Sequence, residues 1–180
     1  TVHGTVRDLS NQEKLSHLHE MAARKSGELI LFEADLMVEG SFLNAMEGCQ
    51  TVIHTASPFF VRGVKDANRQ LIEPAKEGTR NVLESVNQTP SVYKVVLTSS
   101  VAAILGDARE AELIPDRTFD ESLWNTSSSL RHRPYSYSKT GAERLAWEMA
   151  DSQDRWKLVT VNPGFVFGPS LSSRMDSTSV

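Results

Sequence analysis

Five short runs rich in β-branched and apolar residues, separated by segments of helical pattern, constrain this chain more than any other feature of its sequence. "VHGTV" (2–6), "ELILFEA" (28–34), "TVIHTA" (51–56), "KVVLTS" (94–99) and "KLVTVN" (157–162) predict strands. The later ones are unbroken apolar runs of the kind a buried parallel sheet needs. Between them the pattern predicts helices over 11–24, 39–47, 66–88 with Pro74 interrupting, and 135–153. Ser10-Asn11-Gln12-Glu13 reads as a capping box at the start of the first helix. Alternation at this spacing predicts right-handed βαβ crossovers, hence an α/β domain with a parallel sheet and helices on both faces. The stretch 100–134 is mostly irregular and follows a strand, which places it at the carboxyl edge of the sheet, where ligands bind.

A chain of 180 residues suits one domain. The net charge of −4, with no basic block, argues against nucleic acid or an anionic membrane as partner. No apolar stretch is long enough to span a bilayer. The lone Cys49 forms no internal disulfide, and a reducing, cytoplasmic setting is the expectation. His3, His17, His19 and His132 show no metal-ligand spacing, and His54, inside an apolar strand, reads as a core residue. Cys49 reads as buried filler, with no histidine placed to activate it.

The chemistry is concentrated in "YSYSK", 135–139. Residues four apart share a helix face about 6 Å apart along the axis, so Tyr135 and Lys139 face the same way and Tyr137 does not. An ammonium beside a phenol favours the phenolate and predicts a lowered pKa for Tyr135. The spacing alone is a weak signal. "VVLTSS" adds hydroxyls at 98–100, where the fourth strand leaves the sheet toward the start of that helix. A hydroxyl there can hold a carbonyl oxygen while the phenol protonates it, although serines after a strand also commonly cap turns.

With "GTVRDLSNQEKLSHL", "FEADLMVEGSF", "GCQTVIHTASPF", "VVLTSSVAA", "FDESLWN", "YSYSKTGAE" and "VNPGFVFGP", the sequence resembles the extended short-chain dehydrogenase/reductases. It is most similar to the branch of dihydroflavonol 4-reductases, cinnamoyl-CoA reductases and yeast-type methylglyoxal and aldehyde reductases. The resemblance covers nearly the whole chain. It implies a Rossmann-like doubly wound parallel sheet, a catalytic set of Ser100, Tyr135 and Lys139, and reduction of an aldehyde or ketone to an alcohol with NADPH. Tyr135 would protonate the substrate oxygen, Lys139 would hold the nicotinamide ribose, and Ser100 would orient the carbonyl.

Cofactor contacts follow from the same resemblance. Arg7 ends the first strand where an arginine accommodates the 2′-phosphate of NADP, with Lys14 as a second basic residue; Asp8 beside them would repel phosphate unless it points away. Asp35 and Leu36 match the segment that caps the adenine. Thr55, Ala56 and Ser57 match the stretch along the cofactor's phosphates and ribose, and Pro163, Gly164 and Val166 match the nicotinamide-side loop. Phe59, Phe60 and Trp124 are expected at the substrate pocket. No glycine-rich turn precedes Arg7, so the sheet is expected to be incomplete: it would lack the central first strand with its phosphate-binding turn, and the carboxyl-terminal substrate region. Residues 1–180 are therefore expected to be a partial NAD(P)-binding Rossmann domain, a portion of a longer reductase or a truncated product that binds NADP poorly alone. A monomer or homodimer is expected. The alternatives are a nucleotide-sugar epimerase/dehydratase or 3β-hydroxysteroid dehydrogenase-like enzyme, which "HTASP" and "DESLW" oppose, and a non-catalytic NADP-sensing or truncated inactive fold-mate.

Overall fold

All five predicted strands form in the computed structural model, which describes residues 1–57, 65–114 and 116–168. They are β1 (Val2–Val6), β2 (Leu29–Glu33), β3 (Thr51–His54), β4 (Lys94–Thr98) and β5 (Lys157–Val161). Every pairing is parallel, as unbroken apolar runs require. The ladder is divided, with β1 bonded to β2 and, separately, β3–β4–β5 in that order. The edges of β1 and β3, unpaired among the described residues, flank a cavity of about 110 Å³ lined by His3, Thr5, Thr51 and Ile53.

The helices are α1 (Gln12–Ala23), α2 (Leu43–Met46), α3 (Glu73–Gln88) and α4 (Pro134–Asp151). The cap of α1 is Asn11, whose Oδ1 accepts from Lys14 N at 3.2 Å. Ser10 does not build the expected capping box, because the charged Asp8 is the stronger acceptor and takes both its N–H (2.8 Å) and its hydroxyl (2.6 Å). The helix expected over 39–47 shrinks to one turn, since Gly40 adopts φ +72° and the preceding residues turn instead. Pro74 does not interrupt its helix. A π-helical turn, Asn68–Ile72, leads into α3 and places Pro74 in the first turn, where its missing N–H costs nothing.

Strand alternation sends Val95, Leu97 and Leu158 to one face of the three-stranded sheet, where they meet Val82, Leu83 and Val86 of α3 and Ala146 of α4. Trp156 closes this core at 1% exposure, its indole N–H donating to Asn87 Oδ1 at 2.7 Å. Its neighbour Arg155 caps the end of α3, donating to the carbonyls of Val86 (2.6 Å), Thr89 (3.1 Å) and Val92 (2.7 Å). The expected helices on both faces are found on one face of this sheet only. Ile53 and Val159, in one cross-strand row with Val96, are 67% and 46% exposed, so among the described residues no helix covers the other face. No helix among them is long and apolar enough to cross a membrane.

Candidate active site

The carboxyl ends of β4 and β5 and the first turns of α4 converge on one point. Pairing of β4 with β5 continues beyond the strands, with Ser99 N–H donating to Val161 O (2.8 Å) and Val101 N–H to Pro163 O (3.1 Å). Ser100 therefore stands at a fixed position, extended at φ −167°, where its Oγ accepts from Ala102 N at 3.2 Å and caps a short 3₁₀ turn, Val101–Ala103. That is the turn-capping role expected of such serines. It also bonds the Tyr135 side chain. The half-buried Tyr135 is the second residue of α4, and the Lys139 Nζ, one turn on and 8% exposed, lies 5.9 Å from its ring centroid. Tyr137 points away and is 43% exposed.

The predicted lowering of the Tyr135 pKa is not found. Burial pushes the phenol up, opposed by the Ser100 hydrogen bond. The Lys139 ammonium stands over the ring, but burial is the larger influence and keeps the phenol in its proton-giving form. Burial pushes the Lys139 pKa down, and the Glu143 carboxylate opposes this. His54, 6% exposed at the end of β3, is held neutral, its pKa pushed down to about 4 by burial first and the Lys139 charge second. Ala56, Ser57, Thr98, Ser99 and Lys139 line a small opening at the ends of β3 and β4, and the buried Ser99 Oγ has no partner among the described residues.

Other expected contacts lie apart from this point. Arg7 and Lys14 are exposed at the end of β1 and the start of α1. Asp8 is turned toward Ser10, which lowers its pKa, so its carboxylate is already engaged. Asp35 Oδ1 accepts from Met37 N at 2.8 Å, and Leu36 packs where a side chain on Gly78 of α3 would stand 3.1 Å from it. Thr55 and Ala56 are exposed beyond β3. Pro163 is tied through its carbonyl, whereas Gly164 and Val166 project from the end of β5, Val166 at 57% exposure. Trp124 lies under the Arg144 guanidinium of α4 at 4.7 Å, anchoring its loop. Phe59 and Phe60 lie outside the described residues.

Several positioning residues escaped the sequence reading. Asn125, 4% exposed, staples the long loop to the carbonyls of Ala102 and Ala103, both at 2.8 Å. Arg133, left-handed at φ +54°, grips Gly106 O and Asp107 before Pro134 opens α4. Gly106 admits no side chain, because a Cβ would strike oxygens of Ser127, Asn125 and Glu110. Glu143 and Asn162 join Ser100 to α4. Near Cys49, read from sequence as having no histidine placed to activate it, His3 Nδ1 lies 3.4 Å from the Sγ. The same nitrogen also donates to Ala45 O at 2.8 Å, so it carries a proton and cannot take one from the thiol.

Comparison with known proteins agrees with this geometry. The profile of the NAD dependent epimerase/dehydratase family matches residues 1–180. Tetraketide alpha-pyrone reductase 1 of Arabidopsis thaliana is 44% identical over 98% of this chain and 53% of its own length. A cinnamoyl-CoA reductase of Medicago truncatula is 40% identical over 99% and 54%. The crystal structure of a yeast methylglyoxal/isovaleraldehyde reductase complexed with NADPH superposes with a TM-score of 0.78 at 31% identity, covering 93% of this chain and 52% of that one. The chain thus spans about half the length of the curated relatives it matches. A Rossmann-like parallel fold with this divided sheet, and a profile match along all 180 residues, place the chain in the NAD dependent epimerase/dehydratase family.

Proposed function

We propose that this chain carries the proton-donating half of an NADPH-dependent reductase that converts a small aldehyde or ketone to an alcohol. One observation carries the reading: Ser100 bonds Tyr135 with Lys139 5.9 Å from the phenol ring, all at the carboxyl edge of the sheet. The reductases among its relatives favour this over epimerisation.

The residues present suit the cofactor. The Lys139 ammonium lines an opening at the ends of β3 and β4 beside the buried Ser99 hydroxyl, which has no partner among the described residues, a donor set matched to ribose hydroxyls. Lys139, Ser57, Ala56 and Thr55 would hold the ribose and phosphates, Arg7 and Lys14 the 2′-phosphate, Asp35 and Leu36 the adenine, and Pro163, Gly164 and Val166 the nicotinamide side. When bound, the dihydronicotinamide supplies a hydride to the carbonyl carbon. Ser100 donates to the carbonyl oxygen and fixes its direction. Tyr135 gives its proton to that oxygen as charge develops there, and a phenol kept protonated by burial is ready for this at neutral pH. The ammonium over the ring favours the phenolate that remains.

Tyr135→Phe should lower NADPH oxidation with a reactive aldehyde by about 10²- to 10⁴-fold while NADPH binding persists. Turnover near the wild-type rate would end the assignment.

A further inference from the structure

Glu143 is a carboxylate at 5% exposure, two turns beyond Tyr135 and one beyond Lys139 on the same face of α4. Burying a charge is costly unless it is paired. Its Oε2 accepts from Asn162 Nδ2 at 2.8 Å, and the same amide donates to the Ser100 carbonyl at 3.1 Å. Asn162 directly follows β5, so this chain of contacts ties the helix to the ends of both neighbouring strands. Toward the other side Glu143 faces Lys139, the only cation lining the opening between β3, β4 and α4 among the described residues.

We propose that Glu143 is a positioning residue serving both halves of the site: its carboxylate balances the buried Lys139 ammonium and, through Asn162, holds the main chain that carries Ser100. The inference rests on the reductase reading above for its consequence in turnover, and for its consequence at Lys139 on the burial of both residues, one turn apart on α4 and lining one opening. Burial lowers the Lys139 pKa and the Glu143 charge raises it again. The other titratable groups near the ammonium are Tyr135 on α4 and the neutral His54 on β3, with Lys76 of α3 beside Gly141 on the adjoining turn. Among the described residues Glu143 is the one negative charge in this group.

Three substitutions separate the roles. Glu143→Gln keeps the volume and an oxygen for Asn162 but removes the charge. In protein labelled with ¹³Cε-lysine, the NMR titration midpoint of Lys139 should fall by about one unit, and the KM for NADPH should rise more than kcat falls. Glu143→Asp, which retains the charge, should bring the midpoint back toward wild type. Asn162→Ala leaves the Lys139 midpoint in place but should lower kcat roughly tenfold with little change in the KM for NADPH, because Ser100 loses its anchor. An unchanged Lys139 midpoint in Glu143→Gln, or a wild-type kcat in Asn162→Ala, overturns the proposal. The titration needs no turnover, so absence of carbonyl reduction by the wild type would strike the reductase reading and leave the Lys139 result standing.

Discussion

On one side of β3 the strands are paired, backed by α3 and α4, and tied by side chains that reach across the sequence; on the other side β3 and β1 present edges, unpaired among the described residues, to a cavity. The acid side of the site lies entirely in the first region. Ser100, Tyr135, Lys139, Glu143 and Asn162 come from 94–162 and hold one another. The basic residues expected to choose the cofactor, Arg7 and Lys14, stand exposed on the β1–β2 side. The proposed proton donor is thus organised by packing within the chain, whereas the residues proposed to select the cofactor stand on a separate ladder.

The contrast can be broken by disturbing each region in turn. Trp156→Ala removes the largest fully buried side chain and should cost about 3–5 kcal/mol, read as a shift in the urea midpoint. A cost near that of a surface change would mean the packed region is not where stability resides. Acid should act on the same region. The unfolded chain protonates His54 below pH 6.5 but the folded chain only near pH 4, so this contribution is intact above 6.5 and is lost as pH falls toward 4. The loss is roughly 1.4 kcal/mol per pH unit in that window. His54→Gln should flatten that slope in urea midpoints measured from pH 7 to 4. On the opposite side, Arg7→Ala should leave stability unchanged and weaken NADPH roughly tenfold while sparing NADH, as loss of one charge-assisted contact predicts. Equal loss for both cofactors in binding titrations would remove Arg7 from the phosphate role.

The strands were legible because a buried parallel strand writes itself as a local apolar run, and α4 because its apolar positions recur at helical spacing. The pairing of Tyr135 with Lys139 follows from that spacing alone. Its electrostatics did not, since the direction of the Tyr135 shift depends on burial by distant segments. Arg155 meets carbonyls 63 to 69 residues earlier in the chain, and Asn162 meets Glu143 across 19 residues. Such contacts leave no periodic trace. Local chemistry also misled where two acceptors competed, as Asp8 drew Ser10 away from the helix it was expected to cap.

The grip of Arg133 on Gly106 and Asp107 sets the rotational phase of the site. Each helical residue turns the chain by about 100°, so Tyr135, Lys139 and Glu143, spaced by four, occupy an arc of about 80°. Shifting the start of α4 by one residue swings that whole arc by more than its own width and carries all three side chains off Ser100. The left-handed residue before Pro134 therefore acts as the index mark from which the donor, the cation and the carboxylate are all aimed together.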